Sequence, residues 1–473
     1  MNTARRVSKN FASLTLAEIL TRVCAVLLLI YVARVLGVTA LGELAFATAV
    51  IGFLTFFADF GLTTLGIREI ARKKQSTDSY GTNILLFQSI FTLFLIFILG
   101  VSLVFLPISH AIKIITLFYG LGLIPLALDM SYIFQAHQAM QYILIGKVVN
   151  QGTYLVLGVT LITLFRNVVF VPIAALIGGI AGAATTYLIL GNVLHFRLTR
   201  PDTRTFKMLI LAAVPFVASE ILITIYRSVD TVMLQFFRNT SEVGYYSSGY
   251  KVVNSIIMFI SLVPVAFFPL ISHNFKHDKG QFQRNILLVA QTIGIVSIPL
   301  AIGGIIYARK ILVLLYGGQI VPGVDAFKVL LPLVIVIPLK LIFISIVIAA
   351  DRQKHYMISG AIGAVINVVL NVLLIPKHGM TGAGISILAT ETIAGIYLVI
   401  NCTSLLNYVG DIFRRYFLKP LIAVVLMGLV AVAVSNAVAG VSLAVLVYVA
   451  CLYALRGIPE DVVGGVLGIF KPA

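Results

Sequence analysis

The sequence contains no tryptophan, only three cysteines and few charged residues for a chain of 473 residues. Charged residues make up 11% of it, whereas a soluble globular protein carries about 25%. The cysteines, Cys24, Cys402 and Cys451, lie in or beside apolar segments without pair spacing, which argues against a disulfide framework and a metal site. Because tryptophan is absent, the 19 tyrosines must supply any aromatic belt at a membrane surface.

Sequence motifs of several enzyme classes are also missing. There is no G-x-x-x-x-G-K-[ST] phosphate loop and no H-E-x-x-H zinc motif. His273 and His277 lie in a basic loop without acidic partners, so we expect neither a metal nor a cofactor. The longest loop, 191–207, is too short for the catalytic domain of a membrane glycosyltransferase or polymerase. We therefore predict that the protein is not an enzyme.

What the sequence does contain is long apolar segments. It is 60% hydrophobic with a mean hydropathy of +1.08, which predicts an all-α polytopic membrane protein. The first segment is longer than the apolar part of a signal peptide and has no cleavage site after it, so we expect an uncleaved span. Fourteen segments are predicted: 11–36, 41–63, 84–106, 111–135, 142–165, 168–190, 208–236, 243–271, 285–308, 322–350, 356–375, 381–402, 418–438 and 440–456.

Positive charge is distributed unevenly between the loops. If the N-terminus is cytoplasmic, the inner loops and ends hold 21 Lys and Arg residues and the outer loops hold 7. The positive-inside rule then places both termini in the cytoplasm. We expect a multi-pass protein of the plasma (inner) membrane. The net charge of +17 lies in short loops between apolar segments, which argues against a nucleic-acid partner.

The basic loop 191–207 divides the chain into six segments, six segments and two more. Short echoes about 200 residues apart, such as residues 42–44 with 244–246, support a repeat. Six is an even number, so both halves enter the membrane in the same orientation as a parallel repeat. We predict an N-terminal six-helix lobe, a C-terminal six-helix lobe and two extra helices with a short tail, over residues 1–200, 201–405 and 406–473.

Segment 208–236 carries Glu220, Arg227 and Asp230 on one helical face. Charges inside a bilayer are costly, so this face must contact protein or water. One interpretation is a buried ion pair that fixes helix packing. The other is a water-filled pathway that this helix lines, and the residues alone leave both open.

Other segments also carry ionisable residues. Glu18 and Arg22 are four residues apart, the spacing of an ion pair on a helix. Asp59 and Asp129 lie about one turn from a segment end, and a structural role and a functional role are equally consistent with that position. Lys147 lies near a segment end, where its side chain can snorkel to the membrane surface. Cations in a cavity between the lobes suit an anionic ligand, and Arg matches phosphate oxygens in a bidentate way. The predicted substrate-binding cations are Arg22, Arg227, Lys251 and Lys340. The predicted ion-coupling or orienting acids are Glu18, Glu220 and Asp230.

Pro215 and Pro338 are candidate hinges for alternating access, although static kinks explain them equally well.

Several short motifs resemble those of a known family. They are R-V-L-G at 34–37, L-G-E at 41–43, D-F-G-L at 59–62, R-E-I-A at 68–71, V-G-Y-Y at 243–246, F-P-L-I at 268–271 and the Asn, Pro and Gly pattern of 367–383. Their order and spacing resemble polysaccharide transporter (Wzx-type) oligosaccharide flippases of the multidrug/oligosaccharidyl-lipid/polysaccharide exporter superfamily. The resemblance covers about residues 1–405 and implies a V-shaped, two-lobed bundle around a cationic cavity.

The resemblance also implies a function. The chain would move an oligosaccharide linked to polyprenyl diphosphate, the repeat unit of a surface polysaccharide or O-antigen, across the membrane by ion-coupled alternating access. Its expected partners are this lipid-linked oligosaccharide, membrane lipids, a polysaccharide polymerase and glycosyltransferases. The alternatives are a multidrug/toxin cation antiporter and a lipid II flippase.

Overall fold

The computed structural model describes residues 3–203, 206, 208–209, 228–403, 406–434 and 437–457. Throughout these ranges the regular secondary structure is helical. The chain forms two compact units, unit 1 (Met1–Gln235) and unit 2 (Phe236–Ala473). The predicted division at residues 200 and 405, and the predicted cavity between lobes, stay predictions.

Unit 1 contains nine described α-helices. They are α1 (Thr3–Leu36), α2 (Val38–Asp59), α3 (Leu62–Arg72), α4 (Thr77–Phe105), α5 (His110–Leu121), α6 (Leu123–Ala127), α7 (Ser131–Ala136), α8 (Gln141–Phe165) and α9 (Phe170–Val193). The chain turns between α2 and α3 at Phe60 and Gly61, which both adopt left-handed backbone conformations with φ of 51° and 71°. Glycine adopts this conformation at little cost, which explains its place in the D-F-G-L motif.

Helix α3 is amphipathic and extends beyond the predicted segment 41–63. Leu62, Leu65 and Ile70 are buried against α7, whereas Arg68 and Arg72 expose their charged side chains. The sequence analysis missed this helix, although its apolar residues recur at the helical period.

The basic segment after α9 is attached to the beginning of α4. The backbone N–H of Arg197 donates to Asp78 Oδ1 at 3.2 Å, and that of Asp202 donates to Asn83 Oδ1 at 3.2 Å. These bonds satisfy backbone groups that regular secondary structure leaves without partners. Residues 197–202 therefore run beside the beginning of α4 in unit 1.

Unit 2 contains eight described α-helices after a helical stretch at 228–237. They are α10 (Thr240–His277), α11 (Lys279–Ile306), α12 (Ala308–Tyr316), α13 (Val324–Leu330), α14 (Leu333–Ala349), α15 (Gln353–Thr403), α16 (Val409–Ala433) and α17 (Ala437–Ala454). Buried tyrosine hydroxyls attach the two extra helices to α11, since a buried hydroxyl requires a partner. Tyr416 Oη lies 2.8 Å from Ser297 Oγ, and Tyr448 Oη donates to the carbonyl of Ile295 at 2.8 Å.

Helix α15 has 51 residues and bends sharply at Gly379, where φ is 55° and ψ is −135°. About 20 residues suffice to cross a bilayer, so α15 supplies two crossings and contains both predicted segments 356–375 and 381–402. Across the bend, Glu242 Oε2 accepts a hydrogen bond from the Met380 N–H at 2.9 Å, and Glu242 Oε1 lies 3.4 Å from Arg238 Nε. The beginning of α10 thus holds this bend in place.

Replacing Gly379 with alanine lowers the thermal stability of the detergent-purified protein. Its backbone conformation is nearly restricted to glycine, and a Cβ atom there would lie 3.0 Å from Arg238 Nε and closer still to Glu242. We expect a loss of about 2 kcal/mol or more in unfolding free energy. The control is Gly360→Ala in the same helix, where a Cβ meets open space and alanine favours helix. Equal melting temperatures for both variants would contradict this assignment.

The helices have the length and surface of membrane spans. Eleven described helical stretches are long and apolar enough to cross a membrane, and residues 439–454 of α17 form a shorter apolar helix. Large apolar side chains lie on the outside, including Phe97 (68% exposed) and Val432 (74%), a surface suited to lipid. Each predicted segment other than 208–236 lies mainly on described helices, and residues 435–436 of segment 418–438 lie outside the described residues. The predicted all-α polytopic fold is confirmed.

Candidate functional site

Part of the predicted site lies outside the described residues. Pro215, Glu220 and Arg227 belong to this part, so the predicted charged face of segment 208–236 stays a prediction. Asp230 is described, and it is almost completely buried at 3% exposure. A carboxylate at this depth requires compensating contacts, which agrees with either interpretation of the segment.

The charges predicted on the first span form an ion pair. Arg22 Nη2 lies 2.6 Å from Glu18 Oε1, as their four-residue spacing predicts. Their side chains are 47% and 54% exposed on α1. The positive charge of Arg22 is therefore shared with a carboxylate on an exposed surface of the helix.

Lys340 also has an acidic partner. Its ammonium contacts the Glu391 carboxylate, and the two side chains are only 14% and 6% exposed. Helix α14 supplies the lysine and the second half of α15 supplies the acid, and the lysine stem runs past Gly395, one turn after Glu391. The sequence analysis did not predict this pairing.

Lys251 differs from Lys340 in its surroundings. It is half-buried on α10, after the stacked rings of Tyr246 and Tyr250, whose centroids lie 6.0 Å apart. No carboxylate among the described residues forms an ion pair with its ammonium. Of the three predicted substrate-binding cations that are described, Lys251 is thus the one available to an anion.

Pro338, the second candidate hinge, lies inside the continuous helix α14 and is buried. The interruption in this part of the chain falls earlier, at Leu331 and Pro332, between α13 and α14. A proline inside a helix still removes one backbone hydrogen bond, so a hinge at Pro338 stays a prediction.

Two buried asparagines of α15, which the sequence analysis named only as part of a family motif, form a polar pair. Asn371 Nδ2 donates to Asn367 Oδ1 at 3.1 Å, and both residues and Thr390 are fully buried. The spacing of four residues between these two asparagines in an apolar segment could have predicted this hydrogen bond from the sequence, because buried amides require partners.

Comparisons with known proteins add to this geometry. The family model described as "Polysaccharide biosynthesis protein" matches residues 7–275. The chain is 30% identical over 178 residues to "Probable flippase AglR" of Haloferax volcanii, covering 37% of each protein. It is 24% identical over 364 residues to "Lipid II flippase MurJ" of Bacillus subtilis, covering 70% of this chain and 66% of that protein. The matches thus span less than two thirds of the length of these curated relatives.

Solved structures show the same fold. A lipid II flippase MurJ in an inward closed conformation superposes with a TM-score of 0.75 at 14% identity, covering 95% of this chain and 99% of that one. An inward-facing multidrug resistance MATE family transporter of the MOP superfamily gives a TM-score of 0.69 at 14% identity, covering 85% and 99%. At these identities the similarity establishes the fold alone.

Proposed function

Because the chain belongs to the polysaccharide biosynthesis protein family, whose model matches more than half of it, we propose that it is a flippase for lipid-linked oligosaccharides. The substrate is an oligosaccharide on polyprenyl diphosphate, the repeat unit of a surface polysaccharide or O-antigen. The protein moves it across the plasma membrane by ion-coupled alternating access. Glycosyltransferases and a polysaccharide polymerase act before and after this step.

The ion pairs between acidic and basic side chains of the described helices are the observation that supports this proposal. A multidrug/toxin cation antiporter requires carboxylates that an organic cation can reach. Of the acids in the described spans, the exposed Glu18 is paired with Arg22 and the buried Glu391 with Lys340, so both carboxylates already have a cationic partner. Lys251 has no acidic partner among the described residues, which favours an anionic substrate.

A reconstituted flipping assay tests the function. Full-length protein in proteoliposomes is given a fluorescent polyprenyl-diphosphate-linked disaccharide, and an impermeant quencher reports the label that reaches the outer leaflet. We expect protein-dependent flipping that Lys251→Met slows at least about tenfold, because a charge-assisted contact is lost. Lys113→Met, at the outer end of α5, is the matched control. Ethidium transport without flipping of the lipid would favour the antiporter instead.

A lipid II flippase is the second candidate, since the similarity to MurJ extends over 70% of this chain. Lipid II also carries a polyprenyl diphosphate, so its diphosphate would use the same cations. The two candidates differ in the glycan. Labelled lipid II in the same vesicles separates them, because a polysaccharide flippase should move the disaccharide substrate faster than lipid II.

The proposed orientation, with both termini in the cytoplasm, is tested by cysteine labelling. Cys24, Cys402 and Cys451 are first replaced by serine, and single cysteines are then placed at three positions. Those at Lys73 and Arg204 should react with an impermeant maleimide only in opened cells, and that at Asn239 should react in intact cells. Labelling of residue 204 from outside would contradict both the orientation and the six-plus-six division.

A further inference from the structure

Unit 1 contains a cavity, lined by both apolar and polar side chains, that the proposed diphosphate site does not use. Helices α2, α5, α6, α8 and α9 surround it, and its volume is about 310 Å³. This volume lies at the lower end of the range for small-ligand pockets. The cavity therefore suits one compact ligand, such as a single sugar residue, better than a whole phospholipid.

Two opposite charges line this cavity without contacting each other. Lys147 of α8 is half-buried, and within the described ranges no carboxylate forms an ion pair with it. Asp129 precedes α7, and its Oδ1 and Oδ2 accept hydrogen bonds from the Ser131 N–H at 3.0 Å and Ser131 Oγ at 3.2 Å. The acid is therefore fixed in place, while the lysine remains available to an anion.

The position of Lys147 along α8 explains why its lack of an ion-pair partner among the described residues matters. It lies six residues into α8, about 9 Å from the first residue of the helix. Snorkelling explains a lysine near a segment end, as the sequence suggested, but the side chain here lines a partly open cavity among the helices of unit 1. A cation at this depth is costly unless an anion or water compensates it.

The uncharged side chains that line the cavity indicate which class of ligand it can bind. The Asn150 amide can both donate and accept hydrogen bonds. The Thr55 hydroxyl donates to the Ile51 carbonyl and can still accept, and the Tyr119 hydroxyl is hydrogen-bonded to Tyr154. Leu123 and Pro125 supply apolar surface beside them. A few oriented polar groups on an apolar wall match a sugar ring, which has hydroxyls at its edge and C–H groups on its faces.

We propose that this cavity binds an acidic sugar residue of the translocated glycan, with Lys147 pairing with the sugar carboxylate and Asp129 and Asn150 bonding to sugar hydroxyls. The proposal rests on the proposed function, because it takes the substrate to be a glycan. Asp129 disfavours a diphosphate or phosphate dianion, since its own negative charge lines the same cavity. A sugar carries one negative charge together with the hydroxyls that Asp129 can accept from.

Saturation-transfer NMR on the full-length protein in detergent tests this assignment without any transport step. The probes are glucuronate, glucose and O-phosphoethanolamine, which represent an acidic sugar, a neutral sugar and a lipid headgroup. We expect glucuronate to bind in preference to the other two. Lys147→Met should weaken glucuronate binding about tenfold or more, because a charge-assisted contact is lost. Lys147→Arg should retain part of the binding, since it keeps the charge.

Lys113→Met is the matched control, because Lys113 of the same unit donates to the Val104 carbonyl and does not line the cavity. It should leave glucuronate binding unchanged, and all variants should elute and melt like the wild type. Equal binding of glucose, stronger binding of O-phosphoethanolamine, or glucuronate binding that survives Lys147→Met would each overturn the inference. A protein that flips lipid-linked oligosaccharide but binds no glucuronate would retain the proposed function and lose this site.

Discussion

Replacing Lys340 with methionine destabilises the protein far more than the same change at an exposed lysine. The change leaves the Glu391 carboxylate, 6% exposed, inside the membrane without its cation. Removing one partner of a buried ion pair costs about 3–5 kcal/mol, because the other charge stays desolvated. Glu391 can bind a proton instead, but the hydrogen bond from the lysine is still lost. The measurement is the melting temperature of the detergent-purified protein.

Two further variants make this result specific to the pair. Lys328→Met is the control, since Lys328 is 46% exposed and pairs at 3.5 Å with the exposed Asp325. We expect it to cost less than about 1 kcal/mol, as exposed ion pairs do. Lys340→Met combined with Glu391→Gln should recover much of the loss, because no unpaired charge remains. If Lys340→Met melts like Lys328→Met, the pair does not stabilise the fold.

Replacing Arg227 with alanine abolishes flipping of the lipid-linked oligosaccharide while expression stays normal. This prediction comes from the sequence, where Arg227 shares a helical face with Glu220 and Asp230. If the face lines a wet pathway, water solvates Glu220 after the change while the buried Asp230 keeps its other contacts, and the bundle remains stable. Transport fails because a bidentate, charge-assisted contact with the diphosphate is lost. Flipping in proteoliposomes and expression in membranes are measured together.

Arg227→Lys tests the same residue further. Lysine keeps the positive charge but lacks the planar fork of donors, so we expect only partial recovery of transport. If Arg227 is instead part of a buried packing pair, Arg227→Ala should lower expression and function together. A well-expressed Arg227→Ala protein with wild-type transport would remove Arg227 from the site and leave Lys251 as its main candidate.

The membrane helices were largely predictable from the sequence. A bilayer requires about 20 consecutive apolar residues and leaves no backbone group without an internal partner, so each span is visible as a long apolar run. The breaks within and between these helices were harder to predict from the sequence. Predicted segment 322–350 includes a 3₁₀ turn and a break at Leu331 and Pro332, and α3 was missed because a short interfacial helix is not an apolar run.

The charge pairs show where prediction from the sequence stopped. Glu18 and Arg22 were found because both lie on one helix, where a spacing of four residues determines their contact. Lys340 and Glu391 are 51 positions apart on different helices, so their pairing depends on how α14 packs against α15. The sequence therefore suggested Lys340 as a phosphate ligand, whereas the structure shows it bound to a carboxylate.

The sequence by itself determined the class of protein, the spans and the family resemblance, because these depend on local composition and on motifs within single segments. Tertiary structure decided which charged side chains form ion pairs with each other and which remain available to a ligand. Lys147 is the clearest case, since its position near a segment end suggested snorkelling while the packing of α8 against α9 places it on a cavity of unit 1. The physical reason is that the energy of an ionised group in a membrane depends on its neighbours in space, and helix packing brings those neighbours from distant parts of the chain.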